Sequence, residues 1–237
     1  MADPVRLAKR VAALVPCSRR EAEQCIEAGW VRVDGVVVDV PQARVADHQQ
    51  VTVDRPAALP DAAPATIVVH QPAGAAPDAV LASLRPEQHW QADPDRTPLL
   101  RQHLRGSQLL MPLPPEASGL AVVSQHRGIV RKLTEDAALL EQELLVEVTG
   151  SIAEGGLARL GQGLAWQGRP LPPAKVSWQS ERRLRFAFKG IAPAQVPWMC
   201  AQVGLAVVQM RRLRIGRVPL AGLPPGQWRW LQAAERF

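Results

Sequence analysis

Residues 18–35 read SRREAEQCIEAGWVRVDG, and this stretch decides the fold of the first part of the chain. Ser18 can cap a helix, and Glu21 follows it at the spacing of a capping box. The helix is expected to end at Gly29, because glycine is typical of the position just after a helix. Short alternating runs flank Asp34-Gly35, a strong local signal for a tight β-hairpin. The stretch therefore predicts a capped helix followed by a hairpin.

The pattern continues on both sides of this stretch. Val5–Val15 has apolar residues at helical spacing, and Gln50–Asp54 alternates like a closing strand. The next residues, RPAALPDAAPAT at 55–66, are rich in proline and alanine and lack periodicity, which is typical of a linker. We therefore expect a small helix-plus-hairpin domain at 1–54, a linker at 55–66 and a second domain at 67–237.

The second domain is predicted to contain a mostly antiparallel sheet. Its strand-like runs are separated by few segments that could serve as crossover helices. The predicted strands are IVVH, LAVVS, ELLVEVTG and RLRFAFKG, with helices at 128–140 and 194–203 and an extended segment at 205–218. The fold class of the whole chain is therefore predicted to be α+β.

Positive charge is concentrated in the last quarter of the chain. The net charge is +6, and residues 175–237 hold eleven Lys or Arg against two Asp or Glu. This excess favours a nucleic acid as partner, although general solubility would also account for it. Trp198, Trp228 and Trp230 lie in the same part and are candidates for stacking on bases.

Several other classes of function find no support in the sequence. No apolar run is long enough to span a bilayer and no signal-peptide stretch is present, so we expect a cytoplasmic protein without a membrane partner. The three cysteines form no C-x-x-C pair and the five histidines show no metal spacing. We therefore expect no disulfide framework, no metal and no small-molecule cofactor.

The N-terminal pattern resembles the S4 type of RNA-binding domain. The matching positions are Ser18-Arg19-Arg20-x-Ala22, Ile26, Gly29, Val31, Val33, Asp34 and Gly35. In that family, two helices and a hairpin present basic side chains to structured RNA, and guanidinium groups bind its phosphates. A solvated helix face is the ordinary alternative. The RNA-binding residues that we predict here and in the basic last quarter are Arg6, Lys9, Arg10, Ser18, Arg19, Arg20, Arg32, Arg211, Arg212 and Arg214.

The second domain resembles the RsuA/RluF family of RNA pseudouridine synthases, and RluF-type members in particular. The resemblance rests on IVVHQPAG at 67–74, LMPLPPEASGLAVV at 110–123, QELLVEV at 142–148 and residues 190–230, which follow the family in order and spacing. It implies an enzyme that flips a uridine out of RNA, cleaves the bond between base and sugar with the help of a nucleophilic aspartate, and rejoins the base through carbon.

The catalytic groups of that family are missing from this chain. The family has a Gly-Arg-Leu-Asp segment before the Ser-Gly-Leu run found here at 118–120, which puts the nucleophile at Pro114 and its arginine neighbour at Pro112. Other polar positions of the family fall on Leu144 for a tyrosine, Pro197 and Trp198 for a basic pair, and Gln71 for a lysine. The chain contains no tyrosine at all.

The sequence leaves open what takes the place of the lost chemistry. Glu116 is the nearest carboxylate, but two extended residues displace a side chain by about 6.5 Å. Asp93 and Asp95 lie in a Pro-rich loop and are expected to have no positioned partner. We favour a monomeric protein that binds structured RNA, above all ribosomal RNA, and is catalytically inactive. The alternatives are an active synthase with a displaced carboxylate and a protein-interaction module on ribosomes or assembly factors.

Overall fold

The computed structural model describes residues 3–54 and 64–237. Most of the predicted linker, at 55–63, lies outside the described residues. The chain forms two compact units. Unit 1 comprises residues 1–65 and 97–106, and unit 2 comprises residues 66–96 and 107–237.

The described residues form seven α-helices and sixteen strands. The helices are α1 (Leu7–Leu14), α2 (Arg19–Glu27), α3 (Pro77–Ala82), α4 (Arg101–Leu104), α5 (Arg127–Thr134), α6 (Gly156–Gly161) and α7 (Val196–Ala201). The strands are β1 (Val5–Arg6), β2 (Val31–Val33), β3 (Val36–Val37), β4 (Arg44–Val45), β5 (Val51–Val53), β6 (Thr66–Gln71), β7 (Gln108–Leu110), β8 (Ala117–Ser124), β9 (Gln142–Gly150), β10 (Ala165–Trp166), β11 (Arg169–Pro170), β12 (Ala174–Ser180), β13 (Arg183–Phe188), β14 (Leu205–Ile215), β15 (Val218–Pro219) and β16 (Trp228–Trp230).

Unit 1 begins with the elements that the opening stretch predicts. The Ser18 hydroxyl accepts a hydrogen bond from the Glu21 amide at 3.2 Å, and the Glu21 carboxylate accepts one from the Ser18 amide at 2.7 Å. This capping box satisfies two amides that the first turn of α2 would otherwise leave unpaired. Asp34 and Gly35 both have positive φ, as the turn between β2 and β3 requires. Apolar side chains of α1, α2 and the strands form one core.

A second segment of the chain, at 97–106, also belongs to unit 1. Leu100 is buried against Gly29, where an added Cβ would lie 2.8 Å from the Leu100 Cδ1 atom. The Arg101 amide donates a hydrogen bond to Asp39 at 2.6 Å, and Arg105 pairs with Glu27 at 3.4 Å. The sequence analysis had placed these residues in the second domain.

Unit 2 is built on a nine-stranded sheet with the order β12-β13-β9-β14-β8-β6-β16, extended by β15 beside β14 and β7 beside β8. The strands pair antiparallel except β14 and β8, which run parallel. The α+β class and the mostly antiparallel sheet are therefore confirmed. The sequence analysis did not predict β12, which forms the sheet edge next to β13.

Two apolar clusters cover the sheet of unit 2. One contains Leu144 of β9 and Phe186 of β13 and is closed by α6 and α7. The other contains Leu120 of β8 and Leu133 of α5. Among the described residues, no helix is long and apolar enough to cross a membrane, and no group of three or more His, Cys, Asp or Glu is placed to hold a metal ion.

Candidate functional site

Unit 1 has a basic groove of about 480 Å³. The β1–β4 ladder places Arg6 directly opposite Arg44, while Lys9 comes from α1 and Arg19 from the start of α2. The described residues that line the groove are Pro4, Val5, Arg6, Lys9, Ala12, Arg19 and Arg44, and none of these carries a carboxylate. Like charges opposite each other on paired strands are unfavourable, so a bound anion would stabilise this arrangement.

Three of the predicted RNA-binding residues therefore converge: Arg6, Lys9 and Arg19. Arg44 also lines the groove, although the sequence analysis did not single it out. Its position opposite Arg6 depends on the pairing of β1 with β4, which joins residues far apart in sequence. No local pattern points to Arg44, because its neighbours Ala43 and Val45 are apolar and it is not part of a basic run.

The other predicted residues of unit 1 do not line this groove. Arg10 pairs with Asp47 at 3.6 Å, and Arg32 pairs with Asp54 at 3.4 Å and donates to the Gly35 carbonyl. Arg20 is exposed, and the Ser18 hydroxyl is used as the helix cap. Their contact with RNA stays a prediction.

In unit 2, the segment that contains Pro114, the position assigned to the family's nucleophile, is a loop between β7 and β8. The Pro114 carbonyl accepts a hydrogen bond from the Ala117 amide at 2.9 Å, which closes a turn. Buried Gln71 lies beside the loop, exchanging weak hydrogen bonds of 3.4 and 3.5 Å with the backbone of Leu113. The residue at the family's lysine position thus contacts the backbone of this loop.

Two other positions that the sequence analysis assigned to catalytic groups, Leu144 and Trp198, lie in one apolar cluster. Leu113 and Leu144 are both buried in it, and Trp198 packs against its side. The Trp166 ring meets the Trp198 ring edge-on, with centroids 4.8 Å apart. The cluster thus brings together the residues at the tyrosine position and at one of the two basic positions, and both are apolar.

Two of the carboxylates considered as substitutes for the nucleophile, Glu116 and Asp93, have different surroundings. Glu116 is exposed at the loop surface. Asp93 is 1% exposed, and its carboxylate accepts hydrogen bonds from the Trp230 amide at 2.8 Å and from the Gln232 side chain at 2.9 Å. It also lies 2.8 Å from Nε2 of His89. The expectation that Asp93 has no positioned partner is therefore wrong, because residues distant in sequence surround it.

The three arginines of β14 (Arg211, Arg212 and Arg214) differ in exposure. Arg211 is exposed and lines a cavity of about 740 Å³ together with His70 and Ser118. Arg214 is bonded to Glu141 and, at 3.3 Å, to Glu143, and the hydrogen bond to Glu141 raises the pKa of Arg214. Arg214 is thus neutralised by two carboxylates within unit 2.

Arg212 was predicted to bind RNA, but it is 1% exposed and presents almost no surface to a macromolecule. Neighbouring residues of a strand point to opposite faces, and the inward face falls on position 212. Its guanidinium donates to the Leu120 carbonyl at 2.7 Å, to the Gln142 side chain at 3.0 Å and to the Met111 carbonyl. Trp228 and Trp230 are buried as well, which removes them as stacking faces for bases.

Comparison with known proteins agrees with this architecture. Residues 5–54 match the S4 domain family. An RNA pseudouridine synthase from Aquifex aeolicus is 24% identical over 98% of this chain and 94% of its own length. The dual-specificity RNA pseudouridine synthase RluF of Escherichia coli K12 is 26% identical over 98% of this chain and 77% of its own. The chain is thus similar to RluF-type RNA pseudouridine synthases along nearly its whole length.

A solved structure supports the same fold. The crystal structure of a pseudouridylate synthase matches with a TM-score of 0.58 over 96% of both chains, at 19% sequence identity. The resemblance noted from the sequence, to an S4 domain followed by an RluF-like domain, is thereby confirmed. The positions that the sequence analysis assigned to the family's catalytic side chains carry proline, leucine and tryptophan, and this assignment stays a prediction.

Proposed function

We propose that this protein binds structured RNA through the basic groove of its S4 domain and does not isomerise uridine. The observation that carries the RNA-binding part is the convergence of Arg6, Lys9, Arg19 and Arg44 on a groove without a carboxylate among the described residues that line it. Guanidinium groups bind phosphate oxygens in a fixed fork geometry, so such a groove fits an RNA backbone.

Ribosomal RNA is the RNA class that we propose. A ribosomal large subunit pseudouridine synthase B from Shigella flexneri is 25% identical over 92% of this chain. Phosphate contacts alone position a protein without reading much sequence, so the shape of the folded RNA would provide selectivity.

The absence of catalysis is supported by what surrounds the former nucleophile position. Pro114 has no acidic group, and the adjacent Leu113 is buried in the apolar cluster that also contains Leu144. In a well-studied hydrolase, loss of the nucleophile costs on the order of a millionfold in rate, or about 8 kcal/mol. Exposed Glu116 and the fully hydrogen-bonded Asp93 give the alternative, a displaced carboxylate, no structural support.

Binding to folded rRNA fragments at several salt concentrations tests the first part. Arg6→Ala, Arg19→Ala and Arg44→Ala should each flatten the log–log dependence of affinity on salt by roughly 0.7–0.9. Arg131→Ala is the matched control, since Arg131 is 76% exposed on α5 and pairs only with Glu135 among the described residues. An unchanged slope for all three groove variants would refute the assignment.

Direct detection of pseudouridine tests the second part. The pure protein is incubated with rRNA and tRNA, and digested nucleosides are analysed by mass spectrometry. We expect no pseudouridine beyond the level of an incubation without protein. Pseudouridine that appears in proportion to the protein and vanishes in Glu116→Ala or Asp93→Asn would establish an active synthase instead.

A further inference from the structure

Arg212 is a buried cation that forms no ion pair with any residue that the structure describes. It is 1% exposed, and its recorded hydrogen-bond acceptors are the carbonyls of Leu120 and Met111 and the amide oxygen of Gln142. Within the described residues it makes no salt bridge, in contrast to Arg214, which lies between two carboxylates. The acceptors of Arg212 satisfy part of its hydrogen-bonding capacity but carry no negative charge.

An uncompensated buried charge is strongly unfavourable, because its hydration is lost and no opposite charge replaces it. Burial lowers the pKa of the Arg212 guanidinium to about 9, so the group is still protonated at neutral pH. A guanidinium has five N–H donors, and the three acceptors account for only part of them. The site would therefore gain from an anion that reaches the guanidinium.

A cavity of about 540 Å³ lies next to this side chain. Besides Arg212, it has polar side chains from Gln142 and Thr134 and an apolar wall that includes Met111, Leu133 and Ile191. Its volume is within the range of about 300–1,000 Å³ that is typical of small-molecule sites. Such a cavity, with a buried cation on one side and an apolar wall on the other, fits a ligand that has an anionic group attached to an apolar part.

We propose that this cavity binds a small organic oxyanion, with its carboxylate or phosphate against Arg212 and Gln142 and its apolar body against Met111, Leu133 and Ile191. Both head groups accept the paired N–H bonds that a guanidinium offers. The proposal concerns unit 2 and is independent of RNA binding by the groove of unit 1. Anion binding by the cavity can therefore be measured whether or not the protein binds RNA.

The test compares charged and neutral probes of similar shape on the full chain. Benzoate is compared with benzamide, and phenyl phosphate with phenol, by calorimetric titration and by the Tm in thermal unfolding. We expect benzoate, phenyl phosphate or both to bind and to raise the Tm, and the neutral probes to have no effect. The arm that succeeds identifies the head group as carboxylate or phosphate.

A variant that supplies an internal carboxylate makes the test specific to Arg212. In Gln142→Glu, the new carboxylate takes the place of an acceptor that lies 3.0 Å from Arg212, so it should raise the Tm without any probe. It should also weaken binding of the anionic probe about tenfold or more, because like charges then meet in the site. Gln202→Glu makes the same charge change at an exposed position of the chain and should leave binding unchanged.

The proposal is overturned if no anionic probe binds to the wild-type chain, or if benzamide and phenol bind as well as their charged counterparts. It is also overturned if Gln142→Glu and Gln202→Glu bind the anion equally, since the anion would then occupy another site. The comparison of probes on the wild-type chain decides the matter even if Gln142→Glu does not fold.

Discussion

Replacing Asp93 with alanine should destabilise unit 2 because this carboxylate anchors the C-terminal strand. Asp93 is 1% exposed and accepts hydrogen bonds from the Trp230 amide in β16 and from the side chain of Gln232. It also accepts one from the Asp95 amide at 3.1 Å and lies 2.8 Å from Nε2 of His89. The His89 ring stacks on buried Trp228 with centroids 4.2 Å apart, so the same carboxylate orients this aromatic pair.

The size of the effect follows from the donors that alanine would leave unpaired. A buried donor without an acceptor costs about 1–3 kcal/mol. Trp230 is buried and Gln232 is half-buried, so the free energy of unfolding should fall by about 3–5 kcal/mol in total. For a protein of this length, each kcal/mol lowers the Tm by about 2–4 °C, which gives a decrease of about 6–20 °C.

Urea unfolding monitored by tryptophan fluorescence measures this change. Asp93→Asn should lose less than Asp93→Ala, because it keeps a carbonyl oxygen that can accept from the Trp230 amide. Glu116→Ala is the control, and as an exposed substitution it should change the free energy of unfolding by less than about 0.5 kcal/mol.

One result would refute the reasoning. If Asp93→Ala unfolds at the same urea concentration as the wild type, the carboxylate does not anchor β16. Loss of pseudouridine formation in such a stable variant would instead make Asp93 a catalytic residue.

Three further predictions concern the former active site and its surroundings. Pro114→Asp should form no pseudouridine in rRNA that mass spectrometry detects. The tyrosine and arginine of the family are still absent, and the effects of catalytic groups that act as a unit are strongly non-additive. Pseudouridine formation after this single change would contradict the prediction. RNA with 5-fluorouridine at a candidate position should bind no more tightly than unmodified RNA and form no gel-stable adduct, because a uracil buried in the apolar cluster would keep unsatisfied polar groups at about 1–3 kcal/mol each. Burial lowers the pKa of His70, so the unfolded chain binds the proton more readily, and stability should fall as the pH decreases below about 6.5. His70→Asn, which can still donate to the Leu223 carbonyl, should lose less stability between pH 7 and pH 5 in urea titrations; equal losses would show that His70 does not contribute.

The parts of the fold that were predicted correctly depend on neighbouring residues. The capping box of Ser18 and Glu21 and the turn at Asp34-Gly35 are local, so their residue types indicate the structure directly. The expectation that the catalytic groups are missing rests on residue identity at Pro114 and Leu144, and it stays a prediction.

The parts that were missed depend on contacts between distant residues. Arg211, Arg212 and Arg214 look alike in the sequence, but a bulge between Arg212 and Arg214 and the pairing with β9 decide which of them faces inward. The strand β12 carries Lys175, Ser177 and Gln179 on a sheet edge, where polar residues are tolerated and the alternating pattern is weak.

The segment at 97–106 has a consequence for how the protein is made. Chains are synthesised from the N-terminus, and early domains commonly fold before the later ones have been made. Here Leu100 fills a place beside Gly29, and Arg101 and Arg105 pair with Asp39 and Glu27. Unit 1 therefore reaches its final structure only after translation has passed residue 106. By then the first strand of unit 2, β6, has already been synthesised. An expression fragment that ends at residue 65 would leave these partners unmatched, whereas one that supplies residues 97–106 on a separate peptide should restore them.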